Sequence, residues 1–333
     1  MLLTVPGLVS VVIEPVVGVL GDVWRRRLLV LGGGVVFAAA LVLAGSSGSF
    51  ALLLVAFAVL DSASGAFVSL SQASLMDSEP QRREENMARW TIAGSVGALA
   101  GPALLAGAVA AGLSWRSPFL VFAAVTLVLV ALAARVRFPQ AAPEQRPRPR
   151  DALRALRRRD TLRWLALLEL ADLLGDVLLG FVALYFVDVV GERSGVGGAA
   201  IVTWTAAGLA GGFLVLRLLR RMPGTRYLRV SAVMAAVIFA AFLLLPGVAA
   251  KLGCLALLAF TTAGWYPVLQ ARVYAELPGQ SGTALALGNV FYLPAAAIPL
   301  GLGLAAQEWG LQTALWLLLA APAALLLLVP RHG

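Results

Sequence analysis

Eleven apolar stretches, each about long enough to cross a bilayer, leave this chain little with which to build a water-soluble fold. They run over 1–20, 28–46, 50–73, 88–112, 115–136, 162–186, 196–219, 228–248, 251–273, 283–306 and 310–329. A hydrocarbon core about 30 Å thick needs a helix of about 20 mostly apolar residues. With 60% hydrophobic and 13% charged residues over 333 positions, the chain reads as an all-α polytopic membrane protein with 11 predicted transmembrane helices.

The net charge of +9 comes from 26 basic residues, nearly all arginine. Arg25 to Arg27, Arg82, Arg83, Arg89, the run from Arg135 to Arg163, the run from Arg217 to Arg229, Arg272 and Arg331 follow every second apolar stretch. The intervening turns hold only Arg116, Arg193 and Lys251, so 23 of the 26 fall on one side. The positive-inside rule assigns that side to the cytoplasm, and a plasma-membrane location with an inner carboxyl terminus follows. The arginines are spread over six turns and tails without aromatic interleaving, which excludes a nucleic-acid surface.

Cys254 is the only cysteine and His332 the only histidine, so imidazole or thiolate metal chemistry is excluded, and no cofactor is expected. There is no Gly-x-Ser-x-Gly elbow and no Walker loop, and Gly32 to Gly34 reads as helix packing rather than a phosphate cradle. Nothing points to an enzyme.

Between the first two stretches sits Gly18-Val-Leu-Gly21-Asp22-Val-Trp24-Arg25-Arg26-Arg27. It resembles the loop between the second and third helices of the major facilitator superfamily, Gly-x-x-x-Asp-x-x-x-Arg-Arg/Lys, with Gly18, Asp22, Arg26 and Arg27 in the four places. The resemblance implies two pseudo-symmetric helical bundles. The first is expected over 1–136 (family helices 2–6) and the second over 162–333 (family helices 7–12), joined by a Pro/Arg-rich cytoplasmic linker at 137–161. The family's first helix has no counterpart, so the reading frame is expected to start upstream. A faint internal repeat agrees with two related halves: Gln72-Ala73 and Pro80 against Gln270-Ala271 and Pro278, then Gly94-Ser-Val96 against Gly288-Asn-Val290. Gly208 to Arg221 looks like a worn copy of the opening loop, with Arg217, Arg220 and Arg221 but no acid.

Five carboxylates fall inside apolar stretches: Glu14, Asp61, Glu169, Asp172 and Asp176. An acid at bilayer depth costs a few kcal/mol, which favours a functional reading. Glu169, Asp172 and Asp176 lie at i, i+3 and i+7, close to one face of a continuous helix, with Asp172 near mid-bilayer. No Lys, Arg or His lies at that depth, so the trio suits proton loading and release; the bland alternative is a set of neutral acids lining a wet cavity. Trp164, Trp204, Trp265, Tyr266, Phe291 and Tyr292 are candidates for an aromatic-lined site.

Gly97 to Pro102 resembles the Gly-x-x-x-Gly-Pro pattern in the fifth helix of the family's antiporters, which implies a hinge or seal at Gly97, Gly101 and Pro102. Ordinary small-residue packing accounts for it equally well. Where the family places an arginine four residues before a glycine in its fourth helix, this chain has Asp61-Ser-Ala-Ser-Gly65, so the usual carboxylate–arginine relay is missing. In the opening loop, Asp22 is expected beside the start of the helix after Ser281, and Arg25 to Arg27 are expected to reach Asp77, closing the inner side as a gate.

The reading is a transporter, lying in the bilayer as a monomer with a small-molecule substrate and protons as partners. Its expected activity is proton-coupled export of a small organic compound; proton-coupled sugar or metabolite uptake and a non-transporting membrane protein are the alternatives.

Overall fold

The computed structural model describes residues 4–138, 158–295 and 297–330, and among them every regular element is helical. In chain order these are α1 (Thr4–Val23), α2 (Arg26–Ser46), α3 (Phe50–Ser78), α4 (Pro80–Ala110), α5 (Ser117–Ala133) and α6 (Arg159–Val189). There follow α7 (Ser194–Leu218), α8 (Gly224–Leu244), α9 (Val248–Glu276), α10 (Ser281–Ala295), α11 (Ile298–Trp309) and α12 (Leu311–Leu328). Eight of them, α2 to α4, α6 to α9 and α12, are long and apolar enough to cross a membrane. The stretch at 283–306 is divided between α10 and α11 rather than forming one described helix. Most of the expected linker, 139–157, lies outside the described residues, as do Arg331 and His332; α6 begins at Arg159, inside the range assigned to the linker.

Local chemistry explains the helix ends. The Ser49 hydroxyl accepts the Leu52 N–H (3.3 Å) and caps α3. Pro80 opens α4 and Pro118 sits in the first turn of α5, where a missing N–H costs nothing. One residue, Gly310, turns the chain from α11 into α12 at φ +82°, a conformation that needs glycine.

The described structure forms two compact units. The first takes in Met1–Arg83, Val96–Arg158 and Tyr274–Val290; the second takes in Glu84–Ser95, Arg159–Val273 and Phe291–Gly333. In the first unit α2 packs on α3 and α5, and α1 packs on α3. Small residues make this contact close: a Cβ built at Gly33 falls 2.6 Å from the Ala66 Cβ, and one at Gly34 runs into Val130 and Phe67. Val30, Ala38, Ala44, Ala56 and Leu70 are buried here.

In the second unit α9 packs on α7 and α8, and α12 packs on α6 and α8. Its buried aromatic cluster joins Tyr185 to Phe242 (5.1 Å between ring centres) and Phe239 to Phe242 (6.1 Å). Lys251, placed by the sequence in an outer turn, is instead buried in the first turn of α9. Its ammonium donates to the Tyr185 hydroxyl (2.7 Å) and the Phe242 carbonyl (2.8 Å), so it satisfies carbonyls at the end of α8. Outer faces in both units stay apolar, as along Val121, Val125, Val128 and Leu132 of α5 or Val230, Val233 and Val237 of α8, the surface a lipid solvent requires.

Candidate functional site

The first unit holds a buried charge clamp. Asp22, near the end of α1, accepts the N–H groups of Gly282 (2.9 Å) and Thr283 (2.6 Å) in the first turn of α10. A carboxylate there takes up N–H groups that have no partner within their own helix and faces the positive end of its dipole. Arg26 then bridges two acids, Asp22 at 2.5 Å and Asp77 at 2.6 Å, and donates to the Gly21 carbonyl (3.0 Å). Ser281 donates to the other oxygen of Asp77 (2.5 Å). The side chains of Arg26, Asp22 and Asp77 are 4%, 0% and 11% exposed, so the pairing is nearly dry.

Sequence reasoning gave the Asp77 contact to all three arginines; the structure gives it to Arg26 alone. Arg27 donates to the Ala134 carbonyl (2.6 Å), and Arg25 is exposed. The chain breaks at Trp24 and Arg25 and restarts as α2 at Arg26, which is buried, whereas Arg25 and Arg27 are exposed. Asp22 lies at the start of the helix after Ser281 and takes its N–H groups, while the Ser281 hydroxyl goes to Asp77. Glycines permit the approach, since a Cβ built at Gly18 falls 2.5 Å from the Gly282 carbonyl oxygen. Gly21 is likewise pressed against Leu70.

Deeper along α1, Glu14 accepts from the Asn289 side chain of α10 (2.6 Å). Gly65 of α3 leaves room for it, as a Cβ there would lie 2.8 Å from the Glu14 Cγ. A π-helical turn, Gly65–Ser69, starts at this point, and Asp61 lies one turn before it in the same helix. Asn289 was missed; a lone carboxamide in an apolar stretch was the available signal.

A second clamp, also missed, lies in the other unit. Glu85, at the start of α4, receives Arg220 (2.8 Å) from beyond α7 and Arg89 (2.5 Å) from its own helix. Glu84 accepts the Gly224 N–H (3.1 Å) at the start of α8 and pairs with Arg272 (2.9 Å). This cluster is wetter: Arg220 is 53% and Arg89 42% exposed.

The carboxylate trio surrounds a cavity of about 540 Å³ in the second unit. The helix that carries it is not continuous, which corrects the periodicity argument. α6 tightens to a 3-10 turn at Asp172–Leu174, breaks at Gly175 and restarts at Asp176. The Asp172 carboxylate faces the Asp176 N–H at 3.5 Å. All three acids line the cavity on both sides of the break, with Trp204, Trp265, Tyr266 and Tyr292 also in its wall. Trp164 is buried beside Arg163 and Arg272 instead, and neither it nor Phe291 is among the described lining residues.

The facing wall has its own interruption, at Ala263 and Gly264 of α9. The Tyr227 hydroxyl repairs it, donating to the Thr261 carbonyl (2.7 Å) and accepting the Gly264 N–H (3.1 Å). Trp265 follows at once, held by its indole N–H on the Ser231 hydroxyl (2.8 Å). Broken helices bordering a polar cavity are the arrangement that irregular backbone tolerates at membrane depth.

The remaining residues singled out are in α4, which runs unbroken through Pro102. A Cβ built at Gly97 or Gly101 meets nothing within 4 Å, so neither glycine accommodates a neighbouring helix in this structure. Among the described residues no cluster of His, Cys, Asp and Glu could hold a metal ion.

The fold resembles FucP in the outward conformation, at a TM-score of 0.82 and 16% identity over 98% of this chain and 88% of that one. A second structure, of a point variant of the E. coli fucose:proton symporter FucP, gives 0.82 and 14% over 98% and 89%. The human organic anion transporter MFSD10 (TETRAN) gives 0.76 and 22% over 98% and 82%. No curated protein matches the sequence. The model of the Major Facilitator Superfamily matches residues 1–299. The chain belongs to the major facilitator superfamily: it is a multi-pass membrane transporter of a small molecule, not an enzyme.

Proposed function

We propose that this protein is a proton-coupled exporter of a small organic compound, working by alternating access of the halves 1–136 and 162–333 in the plasma membrane. The carrying observation is the interrupted helix α6, which sets Glu169, Asp172 and Asp176 on one aromatic-walled cavity. Asp172, at the break, is the proton carrier; Glu169 and Asp176 pass protons to and from it. Glu14 and Asp61 form a second, subsidiary acid pair. The arginine-rich turns and the linker face the cytoplasm, and the protein acts as a monomer.

The clamps are gates in this reading. Asp22, Arg26 and Asp77, framed by Gly18 and Gly21 and flanked by Arg25 and Arg27, hold the inner side shut, and opening must break them. Gly97, Gly101 and Pro102 supply compliance in α4, where no neighbour constrains the two glycines.

Proteoliposomes with an imposed pH gradient test this. Asp172→Asn mimics the protonated acid at nearly constant volume, so it should abolish gradient-driven transport and leave substrate exchange intact. If the variant still moves substrate uphill with unchanged pH dependence, the assignment fails. Uptake by symport is the second reading, suggested by the name of the fucose:proton symporter whose fold this chain shares. In vesicles of known orientation, it predicts substrate moving with protons rather than against them.

A further inference from the structure

We infer that the cavity in the second unit selects an organic cation: a ligand with one fixed positive charge on an aromatic or branched apolar body. The inference rests on the reading of this cavity as the transport site and adds the charge class of what it carries.

The wall carries the argument. Glu169, Asp172 and Asp176 all line the space, while no Lys, Arg or His is among its described lining residues. None of the three acids forms an ion pair among the described residues, in contrast to the paired Asp22, Asp77, Glu84 and Glu85. The structure therefore gathers three acids where no basic side chain among the described lining residues balances the charge they carry when ionised. A cationic guest supplies the missing charge and an anionic one aggravates the excess.

The aromatic side chains decide what kind of cation. Trp204, Trp265, Tyr266 and Tyr292 line the same space, and indole and phenol faces attract a positive charge while excluding a hydrated one. Trp265 is held in place by its bond to Ser231, so its face is preset before a ligand arrives. The volume of about 540 Å³ suits an organic molecule, far larger than a bare metal ion.

The test is equilibrium dialysis of the full-length protein in detergent, with protein-free micelles as the blank and no ion gradient. Three probes of similar shape are compared: tetraphenylphosphonium (cation), triphenylphosphine oxide (neutral) and tetraphenylborate (anion). The cation should bind at least about tenfold more tightly than either of the others. Glu169→Gln with Asp176→Asn should cost the cation about tenfold with binding of the neutral probe unchanged, and Trp204→Leu should cost the cation several-fold more than it costs the neutral probe. Equal binding of the three probes, or preference for the anion, overturns the inference on the wild-type protein alone, whatever the variants do. Unchanged cation affinity in a well-folded double variant overturns it too. Because no gradient is present, the two readings fail separately. Cation binding without proton-driven transport removes the exporter and keeps the site, and proton-driven transport of another solute without cation binding does the reverse.

Discussion

Residues 18–27 and 212–221 share one spacing, glycine followed eight and nine places later by two arginines, yet the clamps they build differ in where the acid comes from and how dry it is. In the first, Asp22 belongs to the same segment as Arg26 and lies against the α10 backbone, with the pair almost fully enclosed. In the second, Leu216 stands at the acid's place, and the carboxylate comes from Glu85 of the helix being held. Arg220 reaches the buried Glu85 from the rim and stays 53% exposed itself. A short acid locked between two backbones makes a stiff joint. A glutamate and an arginine meeting at a rim make a loose one that salt can screen.

The largest expected effect is at Arg26. Arg26→Met leaves Asp22 and Asp77 buried without their cation and should cost about 3–5 kcal/mol. Thermal unfolding in detergent, read by circular dichroism, should show a large drop in midpoint that high salt does not rescue. A wild-type midpoint would mean the two clamps are equally dispensable.

Close approach gives the next contrast. Gly18→Ala drives a Cβ into the Gly282 carbonyl, a backbone atom that cannot step aside, for about 1–3 kcal/mol. At the equivalent Gly212 a Cβ meets only the Ile92 side chain, 3.0 Å away, which can rotate. Gly212→Ala should therefore cost clearly less in the same assay, and equal costs would break the comparison.

Ser281→Ala removes one hydrogen bond to Asp77 while Arg26 remains, so a loss of about 1 kcal/mol is expected. Ser281→Thr should restore it, which separates the lost bond from altered helix packing.

The smallest effect belongs to the wet clamp. Arg220→Gln should cost less than about 1 kcal/mol and become indistinguishable from wild type in high salt. A salt-insensitive loss as large as that of Arg26→Met would show the rim contact to be as tight as the buried one.

The opening loop was legible because its glycines, acid and arginines crowd into ten positions at the turn between two apolar stretches, in the family's own spacing. The trio in α6 was legible for a different reason: acids are conspicuous in an apolar run. Their shared cavity followed, but by a route periodicity does not contain, since the helix breaks between Asp172 and Asp176. The second clamp was hidden because Glu84 and Glu85 read as ordinary acids at a helix start, favourable there whatever they touch.

The sequence by itself determined the class of solvent and the class of element. Runs of apolar residues about 20 long must be helical in lipid, where every backbone group needs a partner within the segment. What met what was decided by tertiary structure. Asp22 finds Thr283 across 261 positions, Glu14 finds Asn289 across 275 and Arg220 finds Glu85 across 135. Leu, Val and Ala are nearly interchangeable on a helix face in lipid and carry little information about their partners. The broken helices depend on the fold most directly. At Gly264 the freed backbone is satisfied by Tyr227 from another helix, so only a chain already packed can hold that break open beside the cavity.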